Sequence, residues 1–258
     1  MKLVESLRKG LEVMEAFSGG RPRLRLQEVA DLTGLPKATA YRILRTLVSL
    51  GYISYDQAAA LYRLTPKVMA LGFTVLSSLD LREAALPHLE EFSRQTGQNV
   101  NLGILDGAEV IYVERIKQRA TYDLDLFVGS RLPAHASAIG RAILAFLPPE
   151  ELEQAVGLML ADPEAAEMIG PGGQLLRQRL EEVRLRGYAL NVEETFSGLM
   201  AAGAPVFDSR GQVEGAVNVA VFAQVMTREE LVQSLVPRLV ETAALISADR
   251  GAAGPSAV

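Results

Sequence analysis

Apolar positions recur at helical spacing from the start of the chain. Leu7, Leu11, Met14 and Phe17 share one face of a helix predicted over 6–18, which Gly19-Gly20 closes. The next run, QEVADLTGLPKATAYRILRTL at 27–47, reads as two helices folded on each other. Val29, Leu35, Ala40 and Ile43 fall where the two would face. Ala30 is small enough for close packing, and Gly34 can take the positive φ of a tight turn. Pro36 can occupy the first position of the second helix, where its missing N–H costs nothing. Leu50-Gly51-Tyr52-Ile53-Ser54-Tyr55 then alternates as a strand does, and Leu61-Tyr62-Arg63-Leu64 reads as its return partner. Helix, helix-turn-helix and hairpin in that order predict a winged helix.

Pro66 opens a further helical stretch, apolar on more than one face through Val68, Met69, Leu71, Gly72, Val75 and Leu76. Either another subunit or the chain's own second domain would cover it, and the pattern leaves both open. Beyond it, 81–96 is amphipathic, with Leu86, Leu89 and Phe92 inward and Gly97 as its end. Strands are predicted over 99–105 and 110–116, joined at Asp106-Gly107, and over 124–128. Helices are expected over 137–147, 150–160 and 174–186, strands over 188–192, 200–207 and 213–222, and a final helix over 227–247. Strands bracketed by helices in this order predict an α+β domain with a mostly antiparallel sheet. The expected division is a winged helix-turn-helix at 1–65, a linker helix at 66–79, a second domain at 80–249 and a frayed tail at 250–258.

Charge separates the two halves. Residues 1–80 hold 11 Lys and Arg against 7 Asp and Glu, a net of +4, while the remainder holds 15 against 24, a net of −9. A basic first part with a helix-turn-helix is the footprint of a DNA-binding domain. The second helix of the motif would present Lys37, Ala38, Thr39, Tyr41, Arg42 and Arg45 to a major groove. Lys37, Thr39, Tyr41 and Arg42 would face bases, Arg45 would face phosphate, and Ala38 offers at most an apolar contact. Arg21, Arg23 and Arg25 precede the motif, either as phosphate contacts or as a solvated loop.

The absence of cysteine excludes disulfides, thiolate metal sites and cysteine nucleophiles, and two histidines leave little for a zinc site. No metal or other cofactor is expected. No apolar run of membrane-spanning length and no signal-peptide core are visible, so the expected compartment is the cytoplasm. There is no GxGxxG before a helix, no P-loop and no GxSxG. An enzyme with a regulatory winged-helix appendage is the alternative reading, and a scaffold whose winged helix holds proteins is a third.

Ala134-His135-Ala136-Ser137 leads into a helix whose first N–H groups and positive dipole end suit a carboxylate. Ser137 could touch a ligand or simply cap the helix. The N–H groups near Ala138, Ile139 and Gly140 are better ligand candidates, since Gly140 leaves room for close approach. His135 reads as a hydrogen-bonded structural histidine, with a ligand contact as the other option. Glu193-Glu194 could be paired acids or solvent-facing charges, and Asn191 could be a turn residue.

Several strings in order resemble the IclR family of bacterial transcriptional regulators. LPKATAYRILRTLVSLGYI is similar to that family's recognition helix and wing, and YRLTPKVMALG to the start of its linker helix. GSRLPAHASAIGRAILA, RGYALNVEE with the following SGL, and DSRGQVEGAVNVA are similar to its effector domain. The resemblance implies a winged helix joined by a linker helix to a GAF-like effector-binding domain, not an enzyme. It implies homodimers or dimers of dimers on palindromic or pseudopalindromic operator DNA of metabolic operons, switched by small organic acids. It places Ser137, Ala138, Ile139, Asn191, Leu199, Ala201, Asn218 and Ala220 around the effector. Glyoxylate-metabolism regulators of the family carry an acid, a cysteine and two serines at the positions matching Asn191, Ala201, Asn218 and Ala220. Two amides and two alanines here imply a drier pocket and a larger carboxylate, an aromatic one included.

Overall fold

The structure is a computed structural model, described here for residues 3–18, 20–118 and 126–252. The chain separates into two compact units, Met1–Ser78 and Leu79–Val258.

In the first unit, α1 (Glu5–Glu15), α2 (Leu26–Thr33) and α3 (Lys37–Ser49) precede a hairpin of β1 (Ile53–Asp56) and β2 (Leu61–Leu64). Val13, Phe17, Val29, Ala30, Ala40, Leu44, Leu47, Ile53 and Tyr62 form its core, with Leu35 and Ile43 against it, so the positions expected to face each other do. Gly34 has φ 65°, the left-handed turn between α2 and α3. Pro36 sits one residue earlier than expected: at φ −54°, ψ 136° it precedes the helix instead of opening it. Leu24 bridges Tyr62 and widens the wing. Next comes α4 (Lys67–Ser77), anchored to the wing's base by Lys67, whose ammonium donates to the Leu50 carbonyl (2.8 Å) and lies 4.5 Å above the Tyr52 ring. None of its residues is buried, and Met69, Leu71, Phe73 and Val75 are all more than half exposed.

The second unit is a six-stranded antiparallel sheet between helices. Its elements are α5 (Asp80–Thr96), β3 (Val100–Asp106), β4 (Glu109–Ile116), β5 (Arg131–Pro133), α6 (Ala138–Leu144), α7 (Pro149–Leu160), α8 (Pro163–Ile169), α9 (Gln174–Arg186), β6 (Ala189–Val192), β7 (Leu199–Phe207), β8 (Val213–Phe222) and a final helix (Arg228–Asp249). The strand order is β5-β4-β3-β8-β7-β6. With α5 and the final helix over one face and α6 over the other, β7 is buried at every position but its last. Sheets covered on both faces lose the apolar–polar alternation.

Three expectations need correction. The third strand is Arg131–Pro133; of 124–128, the first two residues lie outside the described ones and Leu126–Val128 are not strand. The turn joining β3 to β4 is Gly107-Ala108, because Asp106 pairs with Glu109. Helix α8 went unpredicted although its start is marked by an N-cap and a proline. Asp162 Oδ1 accepts from the Glu164 and Ala165 amides (2.9 and 3.4 Å), and Pro163 follows.

The final helix is long and apolar enough to cross a membrane by length and composition, contrary to the expectation of no run of that length, but it packs on β7 and α5 as a core helix does. Thr227 and Glu230 cap it reciprocally (3.2 and 2.8 Å). It widens into a π turn at Leu231–Leu235, just ahead of Pro237, where a missing N–H and ring bulk break the regular ladder.

Candidate functional site

Helix α3 presents a polar face. Lys37, Ala38, Tyr41, Arg42 and Arg45 are exposed, while Thr39 is half-buried at its border. Ala40, Leu44 and Leu47 hold the opposite face in the core. Among the described residues, the side chains of Lys37, Tyr41, Arg42 and Arg45 take part in no hydrogen bond or ion pair with other protein groups. Arg25 is the N-cap residue of α2, and its amide donates to Glu28 Oε2 (2.6 Å), leaving its exposed guanidinium beside the motif. The wing carries Arg63, held to Ser54 Oγ at 3.0 Å, and a Tyr55–Tyr62 ring pair with centroids 4.5 Å apart.

The second unit holds an internal cavity built on sheet register. Arg115, Asn101, Asn218 and Gly203 are successive partners across β4, β3, β8 and β7. Two residues along, Ala220, Ala201 and Asn191 make the next rung across β8, β7 and β6. Phe222 and Leu199 make the third. Residues two apart on a strand share a face, so these rungs form one floor. Tyr112 joins them because β4 bulges: Asn101 pairs with Arg115 but Gly103 with Tyr112, so two residues three apart reach the same face. Ser137 and Ala138 at the start of α6, with Thr195, Phe196, Leu126, Leu132 and Asn99, close the cavity. Its volume is about 40 Å³, room for a few water molecules.

Polar groups on the floor bind one another. Arg115 Nη1 donates to Asn101 Oδ1 (3.3 Å), and Asn101 Nδ2 to Asn218 Oδ1 (3.0 Å). Asn218 in turn hydrogen-bonds the Tyr112 hydroxyl, whose pKa burial pushes up to about 12 against the opposing pull of Asn218 and Arg115. Among the described lining residues Arg115 is the one charged group, and there is no carboxylate. This wall offers donors to an anion.

At the rim, the Ala136 carbonyl accepts from Arg141 Nη2 (3.0 Å), Thr195 Oγ1 (3.1 Å) and Asn191 Nδ2. Arg141 is 5% exposed and reaches Glu194 Oε1 (2.8 Å), while Arg179 holds Glu194 Oε2 (3.1 Å). Burial lowers the Arg141 pKa and Glu194 raises it. His135 is buried, and desolvation, with the Arg141 charge adding to it, lowers its pKa, favouring the neutral ring.

Two family descriptions match in sequence order. The IclR helix-turn-helix domain covers residues 6–57, and the bacterial transcriptional regulator IclR C-terminal domain covers 73–248. The chain belongs to the IclR family. It is 32% identical over 232 residues to the HTH-type transcriptional regulator XynR of Escherichia coli K12, covering 90% of this chain and 91% of that one. It is 33% identical to the Pca regulon regulatory protein of Pseudomonas putida (91% and 80% covered). Among solved structures, a transcriptional regulator from Rhodococcus sp. RHA1 is similar at 36% identity and TM-score 0.77, over 96% and 98% of the chains. An IclR homologue from Microbacterium hydrocarbonoxydans, crystallised with 4-hydroxybenzoate, shares the fold at 24% identity and TM-score 0.76, over 95% and 98%. The relatives are named as transcriptional regulators, not enzymes.

Within this IclR-family regulator, Ser137, Ala138, Asn191, Leu199, Ala201, Asn218 and Ala220 do line one cavity. The Ile139 side chain does not, being wholly buried in the core, while its amide nitrogen, the group expected to meet a ligand, lies beside Gly203. Ser137 caps the helix, its Oγ accepting from the Gly140 amide (3.1 Å), so that N–H is already used. Gly140 is small for a different reason than expected: a Cβ there would lie 2.3 Å from the Ala134 backbone. Asn191 is a residue of strand β6 and not of a turn, and both ends of its side-chain amide are taken, by Ala136, Thr195 and the Glu194 N–H. Glu194 is an ion-paired bridge, not a free solvent-facing charge. The ring of His135 makes no hydrogen bond among the described residues. The pocket is also wetter than two alanines implied, because Asn99, Asn101, Tyr112 and Arg115 line it. An alternating pattern assigns Tyr112 and Arg115 to opposite faces, and only the bulge unites them.

Proposed function

We propose that this regulator binds a small organic acid in the inner cavity and converts its presence into a change of operator affinity at a metabolic operon. Helix α3 supplies base contacts through Lys37, Thr39, Tyr41 and Arg42, with Arg45 and Arg25 on phosphate. The uncovered apolar helix α4 joins two copies into a dimer suited to a palindromic site, and the protein works in the cytoplasm. The observation that carries the effector reading is the set of polar side chains Arg115, Asn101, Asn218 and Tyr112 on one wall, with Phe196, Phe222 and Leu199 also lining the cavity. That combination suits a carboxylate on a planar or apolar body. One solved structure supports an aromatic acid: the Microbacterium homologue, crystallised with 4-hydroxybenzoate, through the fold it shares. As the described side chains stand the cavity is small, so such a ligand needs the rim to move.

The test is thermal unfolding of the full chain against glyoxylate, pyruvate, benzoate, 4-hydroxybenzoate and aliphatic diacids. A ligand that binds only the native state raises stability by about 2.7 kcal/mol at a hundred times its Kd. A selective rise with the aromatic acids is expected. A rise with glyoxylate or pyruvate alone would sink the aromatic reading, and a flat panel would remove organic acids from the proposal.

A further inference from the structure

The loop 193–198 is a single-layer wall. Thr195 and Phe196 face the inner cavity, while Glu194 and Thr195 also line an outer groove of about 710 Å³ beside His135 and Met159. Regular structure stops on both sides of it, at Val192 and Leu199. Glu193 holds φ 60°, a left-handed conformation that non-glycine residues rarely take. It is kept there by bonds across the loop: its amide donates to the Leu199 carbonyl and its Oε2 accepts from the Gly198 amide, both 2.8 Å. The fastening to the rest of the domain is different in kind. Glu194 alone spans the buried Arg141 of α6 and the half-exposed Arg179 of α9. Arg141 has few other options. Its Nε is buried with no acceptor, and its remaining recorded partner is the Ala136 carbonyl. Without Glu194 the domain would hold a buried cation lacking its counter-charge.

We propose that Glu194 is a positioning residue that latches the 193–198 loop shut over the inner cavity, so that its release sets the rate at which small molecules enter. This rests on the reading of that cavity as the effector site. The bond pattern separates latch from loop: removing the Glu194 charge cuts the ties to Arg141 of α6 and Arg179 of α9, and leaves both the Thr195 Oγ1 bond to the Ala136 carbonyl (3.1 Å) and the bonds that shape the loop itself.

The chain contains no cysteine, so Ala201→Cys on the cavity floor gives a single thiol that reports access. Its alkylation rate by iodoacetamide is measured in the full-length protein, alone and combined with Glu194→Gln. Loss of a charge-assisted hydrogen bond should raise the rate about tenfold, together with amide exchange in 193–198. Glu214→Gln, which loosens the Arg250 pair (2.9 Å) elsewhere in the domain, serves as the control for general loosening. Equal rates with and without Glu194→Gln overturn the latch, and so does an equal acceleration by Glu214→Gln. Protection of the thiol by benzoate or 4-hydroxybenzoate is read separately. No protection counts against the effector reading, whereas the latch stands or falls on the rates alone.

Discussion

The exposed face of α3 and the floor of the inner cavity spend their polar groups in opposite ways. On α3, Lys37, Tyr41, Arg42 and Arg45 project exposed from one helix, and no described residue hydrogen-bonds or ion-pairs with their side chains. In the cavity, Arg115, Asn101, Asn218 and Tyr112 come from three strands and are joined in one chain of hydrogen bonds. A surface built to meet a polyanion can leave cations in water at little cost. A buried polar group cannot be left unpaired without losing about 1–3 kcal/mol. Substitutions on α3 should therefore change binding and spare stability, and substitutions around the cavity should do both at once.

The largest expected effect is on the cavity side. Gly140→Ala puts a methyl 2.3 Å from the Ala134 backbone, where neither α6 nor the preceding loop can yield by a side-chain rotation. A cost of about 3 kcal/mol or more follows, lowering the thermal midpoint of the second unit by roughly 10 °C. A variant melting within a degree of the parent would show that α6 does not press on that loop, and the account of the closed cavity would go with it.

On the other side, Arg42→Ala should weaken binding to DNA fragments selected by the parent protein about tenfold or more, the worth of one base contact. Its melting should stay within about 0.5 kcal/mol of the parent. Arg45→Ala should lower affinity evenly across sequences and reduce the salt slope by about one. If Arg42→Ala changed stability instead of affinity, the comparison would fail at its simpler end.

The two regions also differ in how far the sequence reveals them. The winged helix was legible because each element carries its own signal. Val29, Leu35, Ala40 and Ile43 mark the inward face, Gly34 the turn, and alternation the hairpin. Five of the six strands of the second unit fell within a residue of their expected bounds for the same reason, and the short β5 did not. The cavity was legible from the residues alone at the start of α6, at Ser137 and Ala138, and elsewhere through the family resemblance, there in part. Asn191 has the right place but spends its amide on the Ala136 carbonyl, and Ile139 points into the core. Asn101, Tyr112 and Arg115 were missed because their meeting depends on register and on a bulge between β3 and β4, which no periodicity within one strand encodes. Glu194 was read as solvated because the arginines that hold it lie 53 and 15 residues back along the chain.

The smallest effect gives the sharpest contrast, since it sets the same substitution in both regions. Tyr41→Phe removes a hydroxyl from a ring 45% exposed on α3 and should leave stability unchanged. Tyr112→Phe removes one from a ring 2% exposed, leaving Asn218 short of a partner, and should cost about 1 kcal/mol at neutral pH. The pH dependence separates them further. Burial raises the Tyr112 pKa to about 12 in the folded protein, against about 10 in the unfolded chain. A group raised in the folded state contributes stability that is complete below its unfolded pKa and is lost as pH climbs through the folded one. The parent should therefore lose stability between about pH 10 and 12 faster than Tyr112→Phe, and the highest-pH component of the tyrosinate absorbance titration should vanish in that variant. Tyr41→Phe should preserve both. Matching titrations for the two variants would mean that Tyr112 is open to water, and the cavity would then be no more enclosed than the face of α3.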